Sequence, residues 1–172
     1  MTYMTRAAIA LLSALFLLSA CLGNSPTTGQ DGRPLPTVFR ITAVQKKKIP
    51  FRVLDSVNAL RQASGLQVVE LSSELNAAAA THSQDMSVQN RPWHFGSDGS
   101  SPIDRVARTG YAGQMLGENI SETYESDVET VAAWMEDAAT RSVILNPDAR
   151  YMGIAWFQEK NGKIWWTQVF GS

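Results

Sequence analysis

A single cysteine in 172 residues, Cys21, rules out an intramolecular disulfide framework, and two histidines, His82 and His94, leave little material for a metal centre or a catalytic base. No serine stands in a Gly-x-Ser-x-Gly turn, and no glycine-rich phosphate loop occurs. Charge of one sign is also lacking: 15 lysines and arginines face 16 aspartates and glutamates, for a net charge of −1, which argues against a nucleic-acid partner. The longest apolar run, Ala7 to Ala20, is about fourteen residues, short of the ~20 that a spanning helix needs. A fold without disulfides must be held by packing, and Trp93, Trp134, Trp156, Trp165 and Trp166 supply much of the bulk.

That apolar run follows a lone positive charge, Arg6, and ends in Leu18-Ser19-Ala20-Cys21. The pattern resembles a bacterial lipoprotein signal, with cleavage before Cys21 and acylation of its thiol. The small residues before Cys21 and the Gly/Asn/Ser/Pro-rich stretch after it argue against the other reading, a buried cysteine in a signal anchor. Residues 1–20 are then expected to be removed with Arg6, leaving 14 basic and 16 acidic residues. A multiply acylated cysteine exceeds the one-chain limit below which membrane binding is reversible. Leu22 stands where an aspartate would signal inner-membrane retention in enterobacterial lipoproteins, which favours the outer membrane for a Gram-negative source.

From Cys21 to about residue 48 the composition is that of a tether, with a short strand expected over Val38–Val44. Lys46-Lys47-Lys48 with Arg52 forms a small basic cluster, read as a solvated helix entrance, with contact to anionic headgroups as the alternative. Phe51, Leu54, Val57 and Leu60 recur at helical spacing and stop at Gly65. A second helix is expected from Ser72 to about Val88, with Leu75, Ala79, His82 and Met86 facing inward. Ser101-Pro102-Ile103-Asp104 starts a short helix that Gly110 stops. Ser126-Asp127-Val128-Glu129 reads as a capping box opening a helix with a Val128, Val131, Ala132, Met135 stripe, ending near Asp137 or Ala138. Tyr151–Phe157 and Ile164–Phe170, joined across Asn161-Gly162, read as an antiparallel hairpin. Helices followed by a terminal hairpin indicate an α+β layered domain.

Three clusters stand in order. Pro92-Trp93-His94-Phe95-Gly96 leads to Asp98-Gly99-Ser100-Ser101-Pro102 and Arg105; Gly117-Glu118-Asn119-Ile120 follows; Trp134-Met135 leads to Ile144-Leu145-Asn146-Pro147 and Gly153. Together with Asn58, Arg61, Gly65-Leu66, Leu71, His82, Asp85-Met86 and Trp166-Thr167-Gln168-Val169-Phe170, they resemble the CAP superfamily of SCP-like proteins over roughly Phe51 to Ser172. The resemblance implies an α-β-α sandwich with helices on both faces of a small antiparallel sheet, over residues 49–172. It also implies a cleft of two histidines and two acids that in some members binds a divalent metal such as zinc. Carried over residue by residue, the cleft consists of His94, Glu118, Asp137 and Thr140. Thr140 occupies the position where bacterial relatives usually place the second histidine, in a Gly-His-Arg run. His82 is read as a core histidine rather than a replacement ligand.

A threonine hydroxyl is a poor substitute for an imidazole, so metal binding through His94 and Glu118 is expected to be weak at best, and no cofactor is required. The leading expectation is a non-catalytic, membrane-anchored domain that binds an envelope component, a small apolar ligand or a protein. The alternative is a metal-assisted hydrolase or peptidase built on His94 and Glu118.

Overall fold

The computed structural model describes residues 38–172; the segment read as a lipoprotein signal, Cys21 and the first part of the expected tether lie outside the described residues. Helix α1 (Ala43–Ala63) begins at a capping box: Thr42 Oγ1 accepts from Gln45 N–H at 3.3 Å, and the Gln45 side chain accepts from Thr42 N–H at 2.7 Å. This cap starts the helix ahead of the lysines, so no strand forms over Val38–Val44 and the boundary at residue 48 falls inside α1. Its buried face is Ile49, Val53, Val57 and Arg61, whereas Phe51, expected to face inward, is 62% exposed. The helix closes in a Schellman motif, with Leu66 N–H reaching Arg61 O and Gly65 N–H reaching Gln62 O; Gly65 takes the φ of +72° that this ending requires.

Asn58 then bridges α1 to the next segment, donating to Val69 O at 3.0 Å and accepting from Val69 N–H at 2.8 Å. Strand β1 (Glu70–Leu71) leads into α2 (Ser73–Gln89), capped by Ser72. Helix α3 (Pro102–Arg108) starts where expected, and Ser101 and Asp104 close a full capping box there. Strand β2 (Met115–Glu122) carries the Gly117-Glu118-Asn119-Ile120 cluster. Helix α4 (Asp127–Glu136) is capped by Ser126, but it buries Asp127, Thr130, Val131 and Trp134 and leaves Val128 exposed. Asp137 ends α4 and caps a further helix, α5 (Ala138–Ile144). The hairpin is β3 (Tyr151–Gln158) and β4 (Ile164–Gly171).

The sheet runs β1-β3-β4-β2, antiparallel except where β1 lies parallel to β3. Helices α1, α4 and α5 cover one face, over Met152, Ile154, Trp166 and Phe170; α2 and α3 cover the other, over Ala155 and Val169. The expected α-β-α sandwich is therefore the observed fold. Gly153 marks the tightest contact between layers: a Cβ there would lie 2.2 Å from the backbone carbon of Leu75, so α2 can approach β3 only over a glycine.

Strand alternation decides what β2 presents to each layer. Glu118 pairs with Val169 and faces α2 and α3, while Asn119 pairs with Gln168 and faces the α4–α5 side.

Candidate functional site

Glu118 is buried, and its carboxylate is surrounded by N–H donors. Arg105, on the inner side of α3, grips it with one terminal nitrogen at 2.8 Å from Oε2 and 3.0 Å from Oε1. Another guanidinium nitrogen of Arg105 donates to Ser100 O at 3.2 Å. His94, in the loop after α2, brings Nδ1 to 2.9 Å from Glu118 Oε1. A carboxylate only accepts, so Nδ1 carries the hydrogen, and the half-exposed ring (50%) leaves Nε2 available to a ligand.

His82 completes the cluster from α2. Its Nε2 lies 2.9 Å from Trp93 O, which fixes Nε2 as the donor, and 3.8 Å from Glu118 Oε1. Burial pushes the His82 pKa below its ordinary value, outweighing the pull of Glu118. The ring is therefore a neutral core histidine, as its helical position implies, yet it lies against the carboxylate rather than apart from it.

The loop from residue 91 to residue 100 is held by polar contacts to α2. Asp85 accepts from Ser97 N–H at 2.7 Å and from Ser97 Oγ at 2.5 Å, and Gln89 accepts from Trp93 Nε1 at 2.6 Å. Burial raises the Asp85 pKa, but these Ser97 bonds and one from Gln89 outweigh it and hold the group below its usual value. Gly96 leaves no space for a side chain, since a Cβ would sit 2.6 Å from both Asp98 Oδ1 and Ser100 Oγ. The loop presents an aromatic edge beside His94: Trp93 and Phe95 have ring centroids 5.8 Å apart, Arg91 lies 3.9 Å over the Trp93 ring, and Phe95 is 49% exposed. Arg105 also lines an adjoining hollow of about 210 Å³ with Asp85, Ser97, Asp98 and Arg108. A larger depression of about 460 Å³ lies elsewhere, against α4, and is lined by Glu125, Glu129 and Glu136 without any histidine.

The four cleft positions expected from sequence are divided. His94 and Glu118 meet; Asp137 and Thr140 stand with α5. Asp137 Oδ1 accepts from Ala139 N–H at 2.9 Å and Thr140 N–H at 3.0 Å, and these bonds lower its pKa. Thr140 Oγ1 donates to Trp134 O at 2.6 Å, and Thr140 O accepts from the Asn119 amide at 3.0 Å. Among the described residues, no hydrogen bond or ion pair joins either to His94 or Glu118.

A metal ion needs several lone pairs directed at one point, and apart from Nε2 of His94 the groups around Glu118 offer hydrogens instead. Nδ1 of His94, Nε2 of His82 and the Arg105 guanidinium are all donors, and a divalent ion would have to displace a bound cation. Among the described residues, no group of three or more His, Cys, Asp or Glu side chains could hold a metal ion. The residues present do not fit the zinc site that the resemblance implies. Arg105 and His82 are the members that sequence reasoning did not assign to the site. Arg105 lay within the first motif cluster, but nothing local marks its partner as Glu118.

The sequence profile of the family described as CAP, cysteine-rich secretory protein family, matches residues 54–170. The chain belongs to the CAP family. A curated relative, the protein YkwD of Bacillus subtilis, is 32% identical over 131 residues, covering 76% of this chain and 48% of its own length. The Bacillus subtilis membrane protein YlbC is 29% identical over 103 residues, covering 60% of this chain and 30% of its own. This CAP chain thus spans half or less of the curated relatives it matches.

Among solved structures, an outer surface protein of Borrelia burgdorferi superposes with a TM-score of 0.68 at 16% identity, covering 74% of this chain and 94% of that one. An extracellular SCP-domain protein of Bacillus anthracis gives a TM-score of 0.68 at 22% identity, covering 77% and 44%. These likenesses establish the CAP fold. No described helix is long and apolar enough to cross a membrane.

Proposed function

We propose that this CAP domain is a lipid-anchored, extracytoplasmic binding module whose cleft recognises an envelope component and does not transform it. The observation that carries this reading is the saturation of Glu118: Arg105 engages both carboxylate oxygens and His94 takes a second bond at Oε1. Catalysis by a carboxylate-oriented imidazole needs a nucleophile or an activated water within reach and a group for developing negative charge. Arg105, the cation that touches Glu118, is already neutralised by it. What remains for a ligand is a recognition surface, made of His94 Nε2, the Phe95 edge and the Arg91–Trp93 stack. Membrane attachment through acylated Cys21 rests on the lipobox pattern alone; the surface and extracellular descriptions of two structural neighbours agree with the envelope location.

Calorimetric titration of the protein with zinc tests this reading. Weak binding, or none that depends on His94, is the expected result. Tight one-to-one binding lost in His94→Ala would overturn it. Thr140→His sharpens the test: tight zinc binding that appears with this change and is lost again on adding His94→Ala would also overturn the reading.

The Nδ1-to-carboxylate hydrogen bond of His94 is also how a general base is oriented, and this favours a hydrolase as the second reading. Turnover of an ester or peptide substrate, abolished in both His94→Ala and Glu118→Gln, would select it.

A further inference from the structure

The outermost face of α1 carries an arrangement that neither the fold nor the cleft uses. Val44 and Phe51 are 63% and 62% exposed, and Lys47 and Lys48 lie between them on the same side of the helix. The opposite side of α1 is the core face of Ile49, Val53 and Val57. Arg52, which the sequence groups with these lysines, is drawn away into a two-bond pair with buried Asp127, at 2.7 and 2.5 Å. Among the described residues, Lys46, Lys47 and Lys48 form no ion pair. An aromatic and an aliphatic side chain flanking two lysines is the composition of a surface that rests on headgroups, with apolar groups inserted and ammonium groups at the phosphates.

Chain length supplies the second argument. Only residues 22–42 separate Cys21 from Ala43, at most ~75 Å of chain even when fully extended. A domain tethered so close meets the bilayer at an effective concentration on the order of millimolar, so a patch too weak to bind alone becomes occupied. We infer that the Val44–Lys47–Lys48–Phe51 face of α1 docks on the anionic surface of the bilayer to which the chain is anchored. Acidic Asp55, a turn further along this face, limits the patch to the first turns of the helix. Because α1 and the Arg105–Glu118–His94 cluster lie on opposite faces of the sheet, docking in this way turns the cleft away from the lipid. This inference rests on the lipid-anchor reading, and the two are separable by experiment.

The full chain, purified from membranes, is floated with phosphatidylcholine vesicles and with vesicles containing phosphatidylglycerol. A bimane label at Val44→Cys reports contact through quenching by brominated lipid, and Val88→Cys on α2, at a residue 75% exposed, serves as the opposite-face control. The expected result is flotation on both vesicle types, with quenching at residue 44 only on the anionic ones and none at residue 88. Lys47→Glu with Lys48→Glu should abolish that quenching without releasing the protein; each lysine contributes about fivefold to the docking equilibrium. Flotation with no quenching at residue 44, equal quenching on both vesicle types, or quenching at residue 88 overturns the docking face while leaving the anchor intact. Flotation confined to anionic vesicles and lost in the glutamate variant overturns the anchor and sustains the docking face.

Discussion

Two arginines are buried in this CAP domain, one on each side of the sheet, and they are held in opposite ways. Among the described residues, Arg61 on α1 has no carboxylate partner. It donates to the carbonyls of Gln67, Ile144, Asn146 and Ala149 at 2.8 to 3.2 Å, tying the end of α1 to the end of α5 and the turn before β3. Burial lowers its pKa, with Arg150 adding to the effect, and neutral dipoles compensate the charge. Arg105 instead meets a full negative charge on Glu118, which in turn reaches the half-exposed His94. A cation caged by carbonyls connects only to backbone and serves the fold. A cation paired with a carboxylate fixes a second side chain, and through it a surface that a ligand can touch.

Breaking the paired arginine should have the largest effect. Arg105→Met leaves Glu118 buried and uncompensated and should cost about 3–5 kcal/mol in urea unfolding. Adding Glu118→Gln to that variant should recover part of the loss, and a single-variant cost under ~1 kcal/mol would refute the pairing. Arg61→Met strands four carbonyls and should cost about 3 kcal/mol, with Arg61→Lys recovering only part because an ammonium cannot span the same fork. Since the two arginines share no partners, the Arg61 and Arg105 effects should add to within ~0.5 kcal/mol; strong coupling would mean that the two sheet faces do not act independently.

A smaller effect separates the layers by pH. The unfolded His82 imidazole takes up its proton near the ordinary value of 6.5, whereas the buried one does so only at lower pH. As pH falls below 6.5 the unfolded state binds the proton first, so stability should decline across that interval. His82→Gln, which keeps a donor for Trp93 O, should flatten this segment of the pH–stability curve. The losses from Asp85 and Asp98 should remain at lower pH, because hydrogen bonds hold both carboxyl groups below their usual range. The smallest change expected is in the stability of His94→Ala, within about 0.5 kcal/mol, because the ring is half exposed and Arg105 still compensates Glu118.

Much of this was legible before the structure. Ser72 and Ser101 announce their helices through bonds made within three residues, and the hairpin declares itself by β-branched and aromatic content. Three elements were not, the first being β1, whose two residues carry no periodic pattern. Strand β2 escapes because Gly117, Glu118 and Asn119 replace the apolar alternation with polar groups that serve different layers, and α5 escapes because its cap, Asp137, reads as the end of the helix before it. The inward faces of α1 and α4 were misjudged because charged Arg61 and Asp127 occupy buried positions while Phe51 and Val128 are exposed. For the site, the motifs singled out His94 and Glu118 and contained Arg105, but nothing local marked Arg105 as the partner of Glu118.

The sequence by itself determined the family, the α+β layering and the capped ends of the helices, because these depend on periodicity and on contacts a few residues long. Only the tertiary structure decided that Glu118 is filled by Arg105, that His82 lies against it and that Asp137 and Thr140 bond within the α4–α5 junction rather than to Glu118. The reason is physical: a buried carboxylate takes whichever donors the packed layers bring within 3 Å, and those come from residues 94 and 105, brought together only when α3 and the loop after α2 close over β2.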